Sequence, residues 1–140
     1  MPDAVIELQQ LTKRYGPVEA LQSLDLSVPR GCLYGLLGPN GAGKTTALRI
    51  ICTLLAPDSG RVIVAGHDAL KQPRQVRELL GYVAQEVAID KILTGRELLQ
   101  LQGALYHQPA RLLAPRIEEL VERMGMGDWI DRRCGTYSGG

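Results

Sequence analysis

Eight consecutive residues, Gly38-Pro39-Asn40-Gly41-Ala42-Gly43-Lys44-Thr45, carry the clearest chemistry in the chain. They fit G-x-x-x-x-G-K-[ST], the Walker A phosphate-binding pattern. A polyphosphate needs many donors converging on one place, and a glycine loop at a helix N-terminus supplies them from the backbone. Gly38, Gly41 and Gly43 allow left-handed or crowded conformations close to the phosphates. Lys44 brings a mobile cation to the terminal phosphates, and the Thr45 hydroxyl is suited to ligate Mg²⁺. The plainer reading is a glycine-rich turn before a buried helix, and the flanking segments weigh against it.

Such a loop requires a strand before it and a helix after it. Residues 32–37 are a short apolar run of the kind shown by a parallel strand covered on both faces. Residues 47–56 are long enough for a helix. Thr45, Arg49 and Thr53 recur every four residues as one narrow polar stripe, which predicts a helix buried over most of its surface. Upstream, Ile6 and Leu8 alternate with Glu7 and Gln9, and Leu24, Leu26 and Val28 with Ser23, Asp25 and Ser27. Period two predicts antiparallel strands, turned at Arg14-Tyr15-Gly16-Pro17. Tyr15 reads either as a strand-end tyrosine or as an aromatic that stacks on a base.

Downstream, Pro57-Asp58-Ser59-Gly60 is a stop and a turn, and residues 61–65 form a short strand. Pro73 suits the first turn of a short helix with Val76, Leu79 and Leu80 inward. Residues 81–84 read as a strand, with the polar pair Gln85 and Glu86 at its carboxyl end, where open α/β sheets place ligand contacts. From Leu93 the chain turns helical. Thr94-Gly95-Arg96-Glu97 is a capping box, and Leu98, Leu101 and Leu105 mark an inner face. A second helix starts at Ala110 or at Pro115, with Leu113, Ile117, Leu120, Val121 and Met124 inward. Ser138 in Thr136-Tyr137-Ser138-Gly139-Gly140 is a good N-cap with no helix after it in the sequence.

Composition narrows the classes. A chain of 140 residues with 45% hydrophobic content has the size and core of one ordinary domain. With one Trp, five Tyr and no Phe, that core is aliphatic. A net charge of +1 argues against nucleic acid or a membrane surface as the main partner. Cys32, Cys52 and Cys134 read as reduced, buried thiols of a cytosolic protein, and His67 and His107 as isolated surface residues. There is no signal peptide pattern and no apolar stretch of membrane-spanning length, so the sequence predicts a soluble cytoplasmic chain.

Taken together, these residues resemble an ATP-binding cassette (ABC) ATPase over essentially the whole chain. Residues 38–45 resemble the family's Walker A, Gln85 its Q-loop glutamine, and Tyr137-Ser138-Gly139-Gly140 the start of its LSGGQ motif, with Tyr137 in place of leucine. The Tyr-Ser-Gly-Gly form is similar to that of drug-exporter ATPases of the daunorubicin-resistance type. The resemblance implies an α/β P-loop NTPase fold with an antiparallel β subdomain, a RecA-like core and an α-helical subdomain. On that plan residues 1–84 are the β subdomain and Walker A part, 85–92 the Q-loop and 93–140 the helical subdomain. ATP and Mg²⁺ are the implied ligands. Tyr15 would stack on adenine, Thr46 would add a phosphate contact beside Thr45, and Gln85 would touch Mg²⁺ and the attacking water. Ser138, Gly139 and Gly140 would face ATP held by a second protomer in a head-to-tail dimer. A transmembrane permease, as a separate subunit or a fused domain, would be the other partner, placing the chain at the cytoplasmic face of the membrane.

The sequence departs from the pattern by ending before the Walker B strand, the catalytic glutamate, the D-loop and the switch histidine. Without those carboxylates Mg²⁺ lacks a ligand and the water lacks a base. The missing strand should also leave ladder groups and apolar surface exposed beside the Walker A strand. Three readings follow: the N-terminal part of a transport ATPase, a nucleotide-binding fragment without turnover, and a soluble ABC protein without a membrane partner.

Overall fold

The computed structural model describes residues 4–83 and 90–137. The chain forms two compact units, Met1–Val83 and Ala84–Gly140. In the first, β1 (Ala4–Tyr15) and β2 (Val18–Pro29) make a long antiparallel hairpin that turns at Gly16 and Pro17. β3 (Ser59–Val64) pairs with the other edge of β1, and the two-residue β4 (His67–Asp68) with β3, giving the order β2-β1-β3-β4. All of these pairings are antiparallel.

The alternation read from the sequence holds at the open end of the hairpin, where Leu8 and Val28 are buried and Gln9, Asp25 and Ser27 exposed, and breaks in the middle. Leu8 and Leu11, three apart, are both buried, because β1 bulges at Gln10, whose φ is 49°. β2 bulges in compensation at Ser23, with φ 52°, so that Leu21 is buried and Leu24 packs against the same core. Asp25 accepts the Gln10 backbone N–H at 2.8 Å and satisfies a donor that the bulge removes from the ladder.

α1 (Lys44–Ile51) lies against this sheet through Ala47, Ile50 and Ile51, an i, i+3, i+4 set on one face. The sequence predicted a longer helix, buried nearly all round. Instead it ends at Cys52, and Leu48 and Leu54 are exposed, because the described residues place no second layer over them. α2 (Pro73–Leu79) has Pro73 in its first turn and Val76 fully buried, whereas Leu79 points outward, a correction to its expected inward place.

The expected strand over residues 32–37 does not form. The segment is irregular, and Leu33 and Leu37 are 104% and 91% exposed. A strand exists only where a neighbour completes its ladder, and no described segment pairs with this one. Residues 81–83 are likewise not a strand, with Val83 exposed, while Ala84, Gln85 and Glu86 lie outside the described residues. The cysteines are free as expected, but only Cys134 is buried. Cys32 is exposed with its segment and Cys52 is half-buried at the end of α1. Of the two histidines, His107 is exposed and His67 half-buried in β4.

The second unit packs α3 (Gly95–Leu105) against α4 (Ala110–Arg123). Thr94 and Glu97 form the predicted capping box at the start of α3. Its inner face runs through Gly95, Leu99 and Gly103; Leu101 and Leu105 are exposed and Leu98 is half-buried, so the leucine stripe is corrected. At Gly103 a methyl group would strike the Leu113 side chain of α4, so the missing side chain sets how closely the helices approach. α4 starts at Ala110, the first of the two expected positions, and carries Pro115 inside it. Ile117 and Val121 are buried and Leu113 packs on them, whereas Met124 is exposed, contrary to expectation.

Candidate functional site

The phosphate loop is a formed structure. Gly43 takes a left-handed conformation, φ 81° and ψ 1°, as the N-cap of α1. A Cβ there would collide with the Ala20 carbonyl oxygen of β2 and meet the Leu21 side chain, so only glycine lets the loop lie against the sheet. The Ala42 N–H donates to the Pro39 carbonyl at 3.2 Å, and the Ala47 N–H to the Gly43 carbonyl at 2.9 Å, the bond that opens the helix. No side chain caps α1 and no acidic residue lies in its first turn, so its partial positive charge meets no competing anion there.

Lys44, half-buried, folds back over the loop. Its ammonium donates at 2.7 Å to the carbonyls of both Gly38 and Pro39, closing the loop into a ring. Pro39, Asn40, Gly41 and Ala42 form the exposed rim, with Gly41 at φ 85°. Thr45 is exposed and Thr46 half-buried in the first turn of the helix. The arrangement is a cradle of backbone donors with one mobile cation and one hydroxyl, which fits a polyphosphate and a hard cation bound to it.

Tyr15 is 48% exposed at the last position of β1, where it pairs with Val18. Two residues along β2 is Ala20, whose carbonyl backs Gly43, so the hairpin end carrying Tyr15 adjoins the phosphate loop. That end is tied down from the other side. Asp58 accepts from Lys13 Nζ at 2.8 Å and from the Arg14 backbone N–H at 2.7 Å. The Lys13 ammonium first, then the Arg14 amide, hold the Asp58 carboxyl below the usual carboxylate range.

In the second unit the segment ahead of Ser138 is anchored to the start of α3. Cys134 N–H donates to Leu93 at 2.8 Å, and Arg96 N–H to the Ile130 carbonyl at 3.0 Å. The Tyr137 hydroxyl lies 3.0 Å from the Trp129 carbonyl oxygen, to which it donates, and 3.2 Å from that of Arg132. Its ring meets Trp129 edge-on at 5.0 Å. Gln85, Ser138, Gly139 and Gly140 lie outside the described residues.

The motif found the loop but not its supports. Ala20 carries no sequence signal, since its contribution is a backbone carbonyl. Asp58 looked like an ordinary turn residue because its partners are 44 and 45 positions away.

A family profile described as ABC transporter matches residues 21–140. The chain is 46% identical over 140 residues to the daunorubicin resistance ATP-binding protein DrrA2 of Streptomyces coeruleorubidus, covering 100% of this chain and 44% of that protein. It is 43% identical over 139 residues to the daunorubicin/doxorubicin resistance ATP-binding protein DrrA of Streptomyces peucetius, covering 99% and 42%. The chain thus spans less than half the length of these relatives. Among solved structures, an ATP-binding cassette of an ABC transporter aligns with TM-score 0.81 at 24% identity, covering 97% of this chain and 60% of that one. With its phosphate loop formed on this fold, the chain belongs to the ABC transporter family.

Proposed function

We propose that this chain is the nucleotide-binding portion of an ABC transporter ATPase of the drug-exporter type, coupling MgATP binding and hydrolysis to export through a transmembrane partner. The observation that carries the reading is the loop itself, closed by Lys44 over the free N-terminus of α1. The relatives, named daunorubicin and doxorubicin resistance ATP-binding proteins, support the exporter class.

In this reading the backbone amides of residues 40–46 and the Lys44 ammonium hold the β- and γ-phosphates and oppose the charge that grows as water attacks. To do so Lys44 exchanges its two carbonyl partners for phosphate oxygens. Thr45 and Gln85 are the residues that would hold Mg²⁺, which when bound neutralises phosphate charge. Tyr15 stacks on the adenine. Ser138, Gly139 and Gly140 close over ATP bound to a second protomer, and a permease anchors the assembly at the cytoplasmic membrane face. Among the described residues no helix is long and apolar enough to cross a membrane.

The 140 residues contain no Walker B carboxylate or catalytic glutamate recognisable by motif, so we expect this chain alone to bind ATP weakly without turnover. Phosphate release under saturating MgATP tests this. Sustained release that Lys44→Ala abolishes would overturn the no-turnover half. Export from membrane vesicles by the protein with its permease should be lost in Lys44→Ala; export that continues would overturn the coupling half.

A further inference from the structure

β1 has two neighbours, but not along its whole length. On the β2 side the ladder continues to the pair of Tyr15 with Val18. On the β3 side it stops three residues earlier, at Thr12 and Ser59. Beyond that point the outward groups of β1 have no strand to meet, and Asp58 meets them instead. Its own N–H donates to the Thr12 carbonyl at 3.0 Å, continuing the ladder by one bond. Its carboxylate then accepts the next outward donor, the Arg14 N–H at 2.7 Å, and with its other oxygen the Lys13 ammonium at 2.8 Å. Next to it the hydroxyls of Thr12 and Ser59 bond at 2.6 Å. One side chain thus replaces the missing strand up to the residue before Tyr15.

We infer that Asp58 is a positioning residue for the base half of the nucleotide site. An exposed strand end frays, and a stacking aromatic at a frayed end must be ordered again whenever a base arrives. By fixing Arg14 on the side away from β2, Asp58 keeps Tyr15 in register with Val18, and so beside the loop that Ala20 backs. Asp58 also ends the connection that leaves α1, whose N-terminus is the phosphate cradle. Its partners all lie on β1, so it acts on the base end and leaves the phosphate cradle to α1. The inference rests on the proposal that Tyr15 stacks on adenine.

The test compares ATP with inorganic tripolyphosphate, which uses the cradle but has no base, by titration calorimetry on the purified protein. Tyr15→Ala should weaken ATP roughly tenfold and leave tripolyphosphate unchanged. Asp58→Ala should weaken ATP roughly three- to tenfold, again sparing tripolyphosphate, and should add nothing to Tyr15→Ala in the double variant. Asp58→Asn keeps one acceptor for the Arg14 amide and is the milder change. It should lose roughly twofold, and it decides the matter if Asp58→Ala does not fold. Equal loss of both ligands, additivity with Tyr15→Ala, or an unchanged ATP preference in the Asp58 variants overturns the inference. An unchanged ATP affinity in Tyr15→Ala overturns instead the stacking proposal on which it stands.

Discussion

Gly43 does three things at once: it caps α1, turns the chain left-handed at φ 81°, and lets the loop touch the Ala20 carbonyl. Gly43→Ala should therefore cost about 2 kcal/mol or more in chemical denaturation, from backbone strain plus the collision. A loss below ~0.5 kcal/mol would mean that the loop rests less tightly on β2 than described. Asp58 makes a second prediction, in pH. Donation from Lys13 and Arg14 lowers its folded pKa, so its stabilisation is present above the unfolded value of about 4 and is lost as pH falls through the folded one. The melting temperature of the wild type should fall on acidification below about pH 4, and Asp58→Asn should flatten that fall. An identical pH profile in the variant would contradict the assignment. At this scale the sequence was most legible where chemistry demands a fixed spacing, as in residues 38–45. It was silent on Asp58, whose role depends on where a sheet edge happens to end.

Among the elements, α3 shows how pattern reading succeeds and fails within one helix. Its start was legible because a capping box is a local device, and Thr94 and Glu97 satisfy each other across three residues. Its buried face was not legible, because leucines advertise a core and glycines do not. Here Gly95 and Gly103 face inward with Leu99, while Leu101 and Leu105 face out. Close approach of α4 selects glycine at 103, and the Tyr137 hydroxyl and Ile130 select it at 95. Gly103→Ala should cost about 1–3 kcal/mol by pushing Leu113 away, and circular dichroism through thermal unfolding would register it. An unchanged melt would show that the helices have room to spare. Thr94→Ala should remove the cap for about 1 kcal/mol, and no change would mean that α3 does not rely on it. The hairpin teaches a similar lesson: paired bulges at Gln10 and Ser23 shift the period where alternation alone predicts none.

For the molecule as a whole, the fold class was readable through the family resemblance carried by the phosphate-loop motif and the elements around it. Strands over residues 32–37 and 81–83 were not realised, because strand formation is settled by a partner and not by apolar content. Leu33, Leu37 and Val83 stand exposed in consequence. This chain by itself should self-associate at micromolar concentration, and Leu33→Lys with Leu37→Lys should reduce the association seen by light scattering. A monodisperse wild-type monomer would contradict that. Titration calorimetry with MgATP tests most directly whether the phosphate loop is a nucleotide cradle. Saturable binding is predicted, competed by tripolyphosphate and weakened about 10- to 100-fold by Lys44→Ala. Binding that survives Lys44→Ala undiminished, or no saturable binding by the wild type, would contradict it.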